Sequence, residues 1–179
     1  MIDFDAQLLR AILDEAALRS YGGEAVDELT HGLQTAHLAR ESGADAELVL
    51  AAALHDIGRL PSVARRTRTT LHEYVGGAFV AEAVSQRAGR IVAAHVRAKR
   101  YLVATDAEYR AKLSPASERS LLAQGGALDA AGTAAFERMP WASDAIALRR
   151  WDDAAKLPAG PAIGVDELLA IYVRFRARR

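Results

Sequence analysis

Apolar positions along most of this chain recur at the spacing of helix faces. In the N-terminal segment, Leu8, Leu9, Ile12, Leu13 and Ala16 return every three or four residues, which predicts an amphipathic helix. No segment alternates apolar and polar residues over a length that predicts a strand. The pattern therefore predicts an all-α fold.

Glycines, prolines and capping residues divide this pattern into separate helices. The first helix is expected to end before the Tyr-Gly-Gly-Glu sequence at 21–24, because paired glycines favour turns. A further helix is expected from a cap at Asp45 to about Ile57, with Gly58 as its stop, and 59–70 is expected to be a loop. Other helices are predicted over 26–41, 71–87, 89–102, a short stretch between Pro115 and Gly125, 129–138, 142–155 and 165–178.

Composition limits the protein classes that need to be considered. A length of 179 residues with 51% hydrophobic residues predicts one compact domain over residues 1–179. The absence of cysteine excludes disulfides, thiolate metal ligands and a cysteine nucleophile. Basic and acidic residues number 23 each, which argues against general binding to nucleic acid.

No targeting or membrane segment is expected. The N-terminus lacks the basic start and apolar run of a signal peptide, and the longest apolar run, 48–54, is too short to span a bilayer. We therefore predict a cytoplasmic protein without a membrane partner. Its oligomeric state cannot be predicted from the sequence.

Histidines and aspartates supply the candidate chemistry. Four of the five histidines, His31, His55, His72 and His95, fall in predicted helices or near their ends, and Asp56 directly follows His55. Imidazole and carboxylate together suit iron, manganese or zinc, and a carboxylate can bridge two metals. A single histidine is more often a packing or surface residue. However, two titratable groups directly after an apolar run would be costly to bury without a partner.

The order of these residues resembles the H…HD…D pattern of the HD-domain superfamily, a group of all-helical metalloproteins that are mostly phosphohydrolases. The added histidines match the subset that holds two metals in the core of one helical bundle. The resemblance implies one metal held by His31, His55, Asp56 and Asp152, and a second held by Asp56, His72 and His95. Residues 151–156 are also similar to the aromatic-Asp-x-x-x-Lys arrangement of the oxygenase branch, with Asp152 as the ligand.

Several stretches are similar to the PhnZ-like group of HD-domain oxygenases: 21–24, 95–102, 113–126 and 148–156. This likeness implies a mixed-valent Fe(II)/Fe(III) oxygenase. It would cleave the carbon–phosphorus bond of a 1-hydroxyphosphonate resembling 2-amino-1-hydroxyethylphosphonate with O2, giving phosphate and a carboxylate. Other divalent metals are possible in a purified sample. The alternative is a metal-dependent HD phosphohydrolase acting on a phosphate ester or nucleotide.

Nearby side chains suggest how a phosphonate would be bound. Lys99 follows His95 by one helical turn, and Arg149 precedes Asp152 by three residues, so each shares a face with a predicted ligand. These two cations, with Ser117, Ser120 and Gln124, would form a cradle for the anion. Taken singly, Lys99 and Arg149 would be interpreted as solvated helix residues, and the serines as caps.

The likeness also implies that Tyr21 and Glu24 read the amino end of the substrate, although 21–24 alone could simply end a helix. Arg59 stands where the group has a histidine that helps to hold the phosphonate, so it adds charge or reshapes the pocket. Among these residues, Asp56, Lys99, Tyr21 and Glu24 are the predicted catalytic residues.

Overall fold

The computed structural model describes residues 4–178, and this part of the chain folds into helices joined by short turns. It contains no strand, only one isolated antiparallel bridge between Ser20 and Asp27. The all-α prediction is confirmed. The helices are α1 (Ala6–Ala17), α2 (Glu28–Glu41), α3 (Ala46–Ala53), α4 (Pro61–Ala64), α5 (His72–Ala83), α6 (Gln86–Thr105), α7 (Ala107–Ala111), α8 (Pro115–Ala123), α9 (Ala130–Glu137), α10 (Ala142–Ala154) and α11 (Val165–Arg176).

Helices α2, α3, α5, α6 and α10 form the bundle that carries the candidate site. Helix α6 packs against α5 and α10, while α2 packs against α3 and α10. Five consecutive residues of α3, Leu48–Ala52, are buried, as expected for a helix that is apolar on every side. Helices α1 and α11 cover the outer side of α2 and α3. Within the described residues, no helix is both long and apolar enough to cross a membrane.

Side-chain caps set several helix starts that the hydrophobic pattern misplaces. Asp27 accepts a hydrogen bond from the Thr30 N–H, so α2 begins at Glu28 and not at residue 26. Ser85 caps α6 in the same way, so the boundary between α5 and α6 lies near Val84 and not near residue 88.

The third predicted helix is shorter than expected. It ends at Ala53, and His55 and Asp56 lie in a turn that leads into a 3-10 turn at Ile57–Arg59. The prediction that the helix continues through both residues to about Ile57 was therefore wrong. The predicted loop 59–70 also contains the short helix α4, and α7 was not predicted, because segments of four or five residues have too little periodicity to recognise.

At two glycines beside this turn, the backbone of a neighbouring segment comes too close to leave room for a side chain. A Cβ on Gly58 would lie 2.0 Å from the His72 carbonyl oxygen and 2.6 Å from the Gly76 nitrogen. A Cβ on Gly32 would lie 2.5 Å from the Ala53 carbonyl oxygen. These glycines let the turn between α3 and α4 press against both α2 and α5.

A candidate dinuclear metal site and its pocket

The six predicted metal ligands meet at the centre of the bundle. They come from α2 (His31), the turn after α3 (His55 and Asp56), the start of α5 (His72), α6 (His95) and α10 (Asp152). All are buried except His72, which is 17% exposed at its side chain. Residues more than 100 positions apart in sequence therefore converge through the packing of five elements.

The first group of ligand atoms surrounds one point. His31 Nε2 lies 3.2 Å from His55 Nε2 and 3.3 Å from Asp152 Oδ1, and His55 Nε2 lies 3.6 Å from Asp152 Oδ2. The Asp56 Oδ2 atom is 3.5 Å from His55 Nε2. Separations of this size are those between ligand atoms around a metal with bonds of about 2 Å.

Asp56 presents its other carboxylate oxygen to a second group. Its Oδ1 atom lies 3.0 Å from His72 Nε2 and 3.5 Å from His95 Nε2, and these two nitrogens are 3.3 Å apart. His31, His55 and Asp56 could hold one ion, and Asp56, His72 and His95 could hold another. One carboxylate shared by two groups is the arrangement of a bridging ligand.

Each histidine is fixed through the nitrogen that faces away from the centre. The Nδ1 atoms of His31, His55 and His95 lie 2.7, 2.8 and 2.7 Å from the carbonyl oxygens of Ala155, Ala52 and Val92, to which they donate. The His72 Nδ1 lies 3.3 Å from the Glu73 carboxylate. Protons on Nδ1 leave the Nε2 lone pairs directed at the centre, as in metal-binding histidines generally.

The donor set fits metal ions on electrostatic grounds. Two Nε2 lone pairs 3.2 Å apart cannot hydrogen-bond to one another once both protons are on Nδ1, so they need a cation between them. Burial lowers the pKa of His55 to about 4, which keeps the imidazole neutral. Burial alone would raise the pKa of Asp56, but Arg59 and His55 hold it well below its usual range. The nitrogens His72 Nε2 and Arg59 Nε lie 3.0 Å from the buried Asp56 Oδ1, but within the described residues no donor is aligned to hydrogen-bond to it.

Tyr21 and Arg59 cover the ligand atoms on one side. The Tyr21 hydroxyl donates to Asp152 Oδ1 over 3.4 Å, and its ring stacks on His31 with centroids 3.8 Å apart. The Arg59 Nε lies 3.0 Å from Asp56 Oδ1, and its guanidinium carbon sits 5.6 Å from the Tyr21 ring centroid. Burial raises the pKa of Tyr21 well above its usual value, so the hydroxyl stays protonated and is a donor.

A small pocket of about 50 Å³ lies against these two residues, with room for a few water molecules. It brings together five of the predicted substrate contacts and adds Lys156. The residues that line it are Tyr21, Gly22, Glu24, Arg59, Ala116, Ser117, Ser120 and Lys156.

Lys99 supports the small pocket from behind. Its ammonium donates to Ser120 Oγ over 2.7 Å, and the residue is only 2% exposed. Burial, with the neighbouring Arg149 charge, lowers the pKa of Lys99 to about 8. The charge therefore stands next to a hydroxyl that faces the pocket.

Two other predicted contacts lie elsewhere. Arg149 is buried and donates to Asp152 Oδ2 at 2.6 Å, to Asp153 Oδ2 at 2.9 Å and to the Tyr109 hydroxyl at 3.1 Å. Its observed partners are therefore two carboxylates, one of them from a predicted metal ligand, and a phenol hydroxyl. Gln124, at the end of α8, borders a separate cavity of about 750 Å³ that His72 also reaches. Direct binding of substrate by Arg149 and Gln124 stays a prediction.

Sequence reasoning missed three residues of this network. Tyr109 also donates to Asp153 Oδ2 over 2.6 Å, and it sits on the unpredicted helix α7. Ser114 donates to Glu24 Oε1 over 2.6 Å. Lys156, the lysine of the 151–156 stretch, donates to Ser117 Oγ over 2.9 Å. Only two local spacings could have indicated this network: Asp153 follows Arg149 by four residues and precedes Lys156 by three. The other contacts are long-range.

Comparison with known proteins places these observations in a family. The HD-domain family model matches residues 29–124, which is more than half of the chain. A hydroxymethylphosphonate dioxygenase of Gimesia maris is 40% identical over 145 residues, covering 78% of this chain and 72% of that protein. A [1-hydroxy-2-(trimethylamino)ethyl]phosphonate dioxygenase (glycine-betaine-forming) of Leisingera caerulea is 37% identical over 155 residues, covering 84% and 79%. The chain therefore belongs to the HD-domain family, in its PhnZ-like group.

Proposed function

We propose that this protein is a diiron oxygenase that cleaves the carbon–phosphorus bond of a 1-hydroxyphosphonate. The observation that carries the proposal is the pair of ligand groups sharing Asp56, placed beside a small pocket that holds cations and hydroxyls. Two relatives with dioxygenase names at 37–40% identity support oxygen chemistry over hydrolysis.

The reaction balances without a further reductant. A 1-hydroxyphosphonate and O2 give a carboxylic acid and phosphate, so both oxygen atoms of O2 enter the products. The C1–H and C–P bonds break, C1 becomes the carboxyl carbon, and phosphorus ends as phosphate. The substrate supplies all four electrons that reduce O2.

The metals would be held by the six ligands, and when bound they would supply Lewis acidity and one-electron redox chemistry. We assign an Fe(II)/Fe(III) pair, because a bridging carboxylate with imidazole ligands suits iron, and other divalent metals would compete during purification. A cytoplasmic location and the lack of nucleic-acid binding stay predictions from the sequence.

The surrounding side chains would bind and orient the anion. Arg59 and the Ser117 and Ser120 hydroxyls face the small pocket, and Lys99 holds Ser120 from behind. Cations and hydroxyls at this spacing suit a phosphonate dianion. Tyr21 lines the pocket and its hydroxyl donates to Asp152. A substrate bound in the pocket would therefore displace water from the side that faces the metal ligands.

The test is phosphate release that requires both iron and oxygen. Protein reconstituted anaerobically with iron should give the EPR signal of a mixed-valent pair and, with O2, release phosphate from a 1-hydroxyphosphonate. The bridging role predicts that Asp56→Ala abolishes binding of both metals, whereas Asp14→Ala, at an exposed position, should leave binding unchanged. Phosphate release from esters without O2 would instead favour the phosphohydrolase.

A further inference from the structure

The two groups of metal ligands differ in how they are closed off from solvent. The His72 position consists of Asp56, His72 and His95, and the His31 position consists of His31, His55, Asp56 and Asp152. Resting on the dinuclear site of the proposed function, we propose that the His72 position exchanges its ion with solvent through the larger cavity, while the His31 position retains its ion. One ion could then be lost and regained while the bundle stays folded.

Buried groups enclose the His31 position. Its ligands His31, His55 and Asp152 are each at most 1% exposed. The Tyr21 ring stacks on His31 and its hydroxyl donates to Asp152, so Tyr21 covers this position. The cavity that borders His31 and His55 has a volume of only about 20 Å³, room for a single water molecule. An ion could leave the His31 position only after buried side chains move.

The larger cavity, of about 750 Å³, connects the His72 position to solvent. Of the six ligands, His72 alone lines this cavity, and its side chain is 17% exposed. Leu71 and Tyr74 also line it and are more than half exposed, so the cavity opens to the surface. The other charged residues of its lining are Glu73, Arg97, Arg100 and Asp129. These charges balance, so the lining repels neither a cation nor an anionic chelator through its net charge.

The His72 ring is also held differently from the other ligand histidines. Those three donate through Nδ1 to backbone carbonyls, whereas His72 Nδ1 lies 3.3 Å from the side-chain carboxylate of Glu73. His72 is the first residue of α5, and Leu71 before it provides no side-chain cap. The His72 position also has three protein ligands, against four at the His31 position. Fewer ligands, one of them partly exposed at a helix start, lower the free energy of local opening. Glu73 is therefore a positioning residue for this exchange.

The experiment counts ions as they leave the protein. Protein loaded anaerobically with two equivalents of Fe(II) is mixed with an excess of ferrozine, a chelator whose absorbance reports each ion released. We expect two phases of equal amplitude, the first at least about tenfold faster than the second. In Glu73→Gln a neutral amide replaces the carboxylate behind His72. The first phase should therefore accelerate by about tenfold, and the second should stay unchanged.

Glu82→Gln is the matched control, because Glu82 is exposed on the same helix, and it should leave both phases unchanged. His72→Ala should bind one ion and release it only at the slow rate. A single phase for both ions of the wild type, a fast release from His72→Ala, or a first phase that Glu73→Gln does not accelerate overturns the inference and leaves the proposed function standing. Binding of fewer than two ions by the wild type contradicts the dinuclear site of the proposed function itself.

Discussion

The side chains at the metal site are oriented by partners that lie behind them. His31, His55 and His95 are each held by a backbone carbonyl, and Asp152 is held by Arg149. The candidate ligands could be proposed from the sequence because their residue types and order form a motif. Their orientation was not, because it depends on atoms such as the Ala155 oxygen, which lies 124 positions from His31.

A substitution of Tyr109 tests whether the orientation of Asp152 also depends on the residues that contact Arg149. Its hydroxyl links Arg149 to Asp153, so Tyr109→Phe should loosen Arg149 and, through it, Asp152. Removal of a residue that supports a metal ligand in this way typically lowers the metal affinity by about tenfold or more. We expect iron affinity in an equilibrium titration to fall by about tenfold, with an unchanged helical signal in circular dichroism.

Tyr74→Phe is the control for this prediction, because Tyr74 is 52% exposed and borders the larger cavity, not the small pocket. Its iron affinity should equal that of the wild type. Equal affinities for Tyr109→Phe and the wild type would mean that Arg149 holds Asp152 without help from Tyr109.

The titration of Lys99 predicts that kcat/KM decreases with rising pH. Burial lowers its pKa to about 8, so in the free enzyme it is charged below that pH and loses its proton above it. Only the charged form attracts a phosphonate, so kcat/KM should fall as the pH rises through about 8. In Lys99→Arg the charge persists, so this fall should disappear or move to higher pH. Identical profiles for the two proteins on one substrate would exclude Lys99 as the titrating group.

At the scale of elements, the site depends on how closely the turn after α3 approaches its neighbours. The hydrophobic pattern predicted most helices but carried α3 through His55 and Asp56. The chain leaves the helix at Ala53 because the turn instead packs against α5, where Gly58 meets the backbone of His72. Such contacts join distant segments, so periodicity along the chain does not contain them.

The variant Gly58→Ala measures how much this close contact contributes to the stability of the fold. The added methyl group would lie 2.0 Å from the His72 carbonyl oxygen, which is backbone and cannot move without shifting α5. We expect the free energy of unfolding to fall by about 2–4 kcal/mol, measured by chemical denaturation, with weaker metal binding at His72. Gly164→Ala has no atom within 4 Å of its new methyl group, so it should lose only the N-cap preference for glycine over alanine at the start of α11, about 1 kcal/mol or less. Equal stability of the two variants would show that α5 can shift freely.

At the scale of the whole molecule, an overall neutral chain hides a strongly polarised centre. Equal totals of 23 acidic and 23 basic residues argue against broad polyanion binding but do not indicate how the charges are distributed. The fold gathers ligand carboxylates at the centre and cations around the small pocket, drawing on helices from most of the chain. That distribution is a property of the fold and becomes visible only in three dimensions.

Metal removal should therefore destabilise the molecule as a unit. Without ions, four imidazoles and two carboxylates face one another in the core, and the ions would join five elements that carry them. Free metal at about 100 times its dissociation constant adds about 2.7 kcal/mol to the folded state, which at this chain length raises Tm by about 5–10 °C. Calorimetry of iron-loaded and chelator-treated protein should show this difference in wild type and in Asp14→Ala, and not in Asp56→Ala. A Tm that does not respond to iron would mean that the six side chains do not hold a metal when the protein is folded.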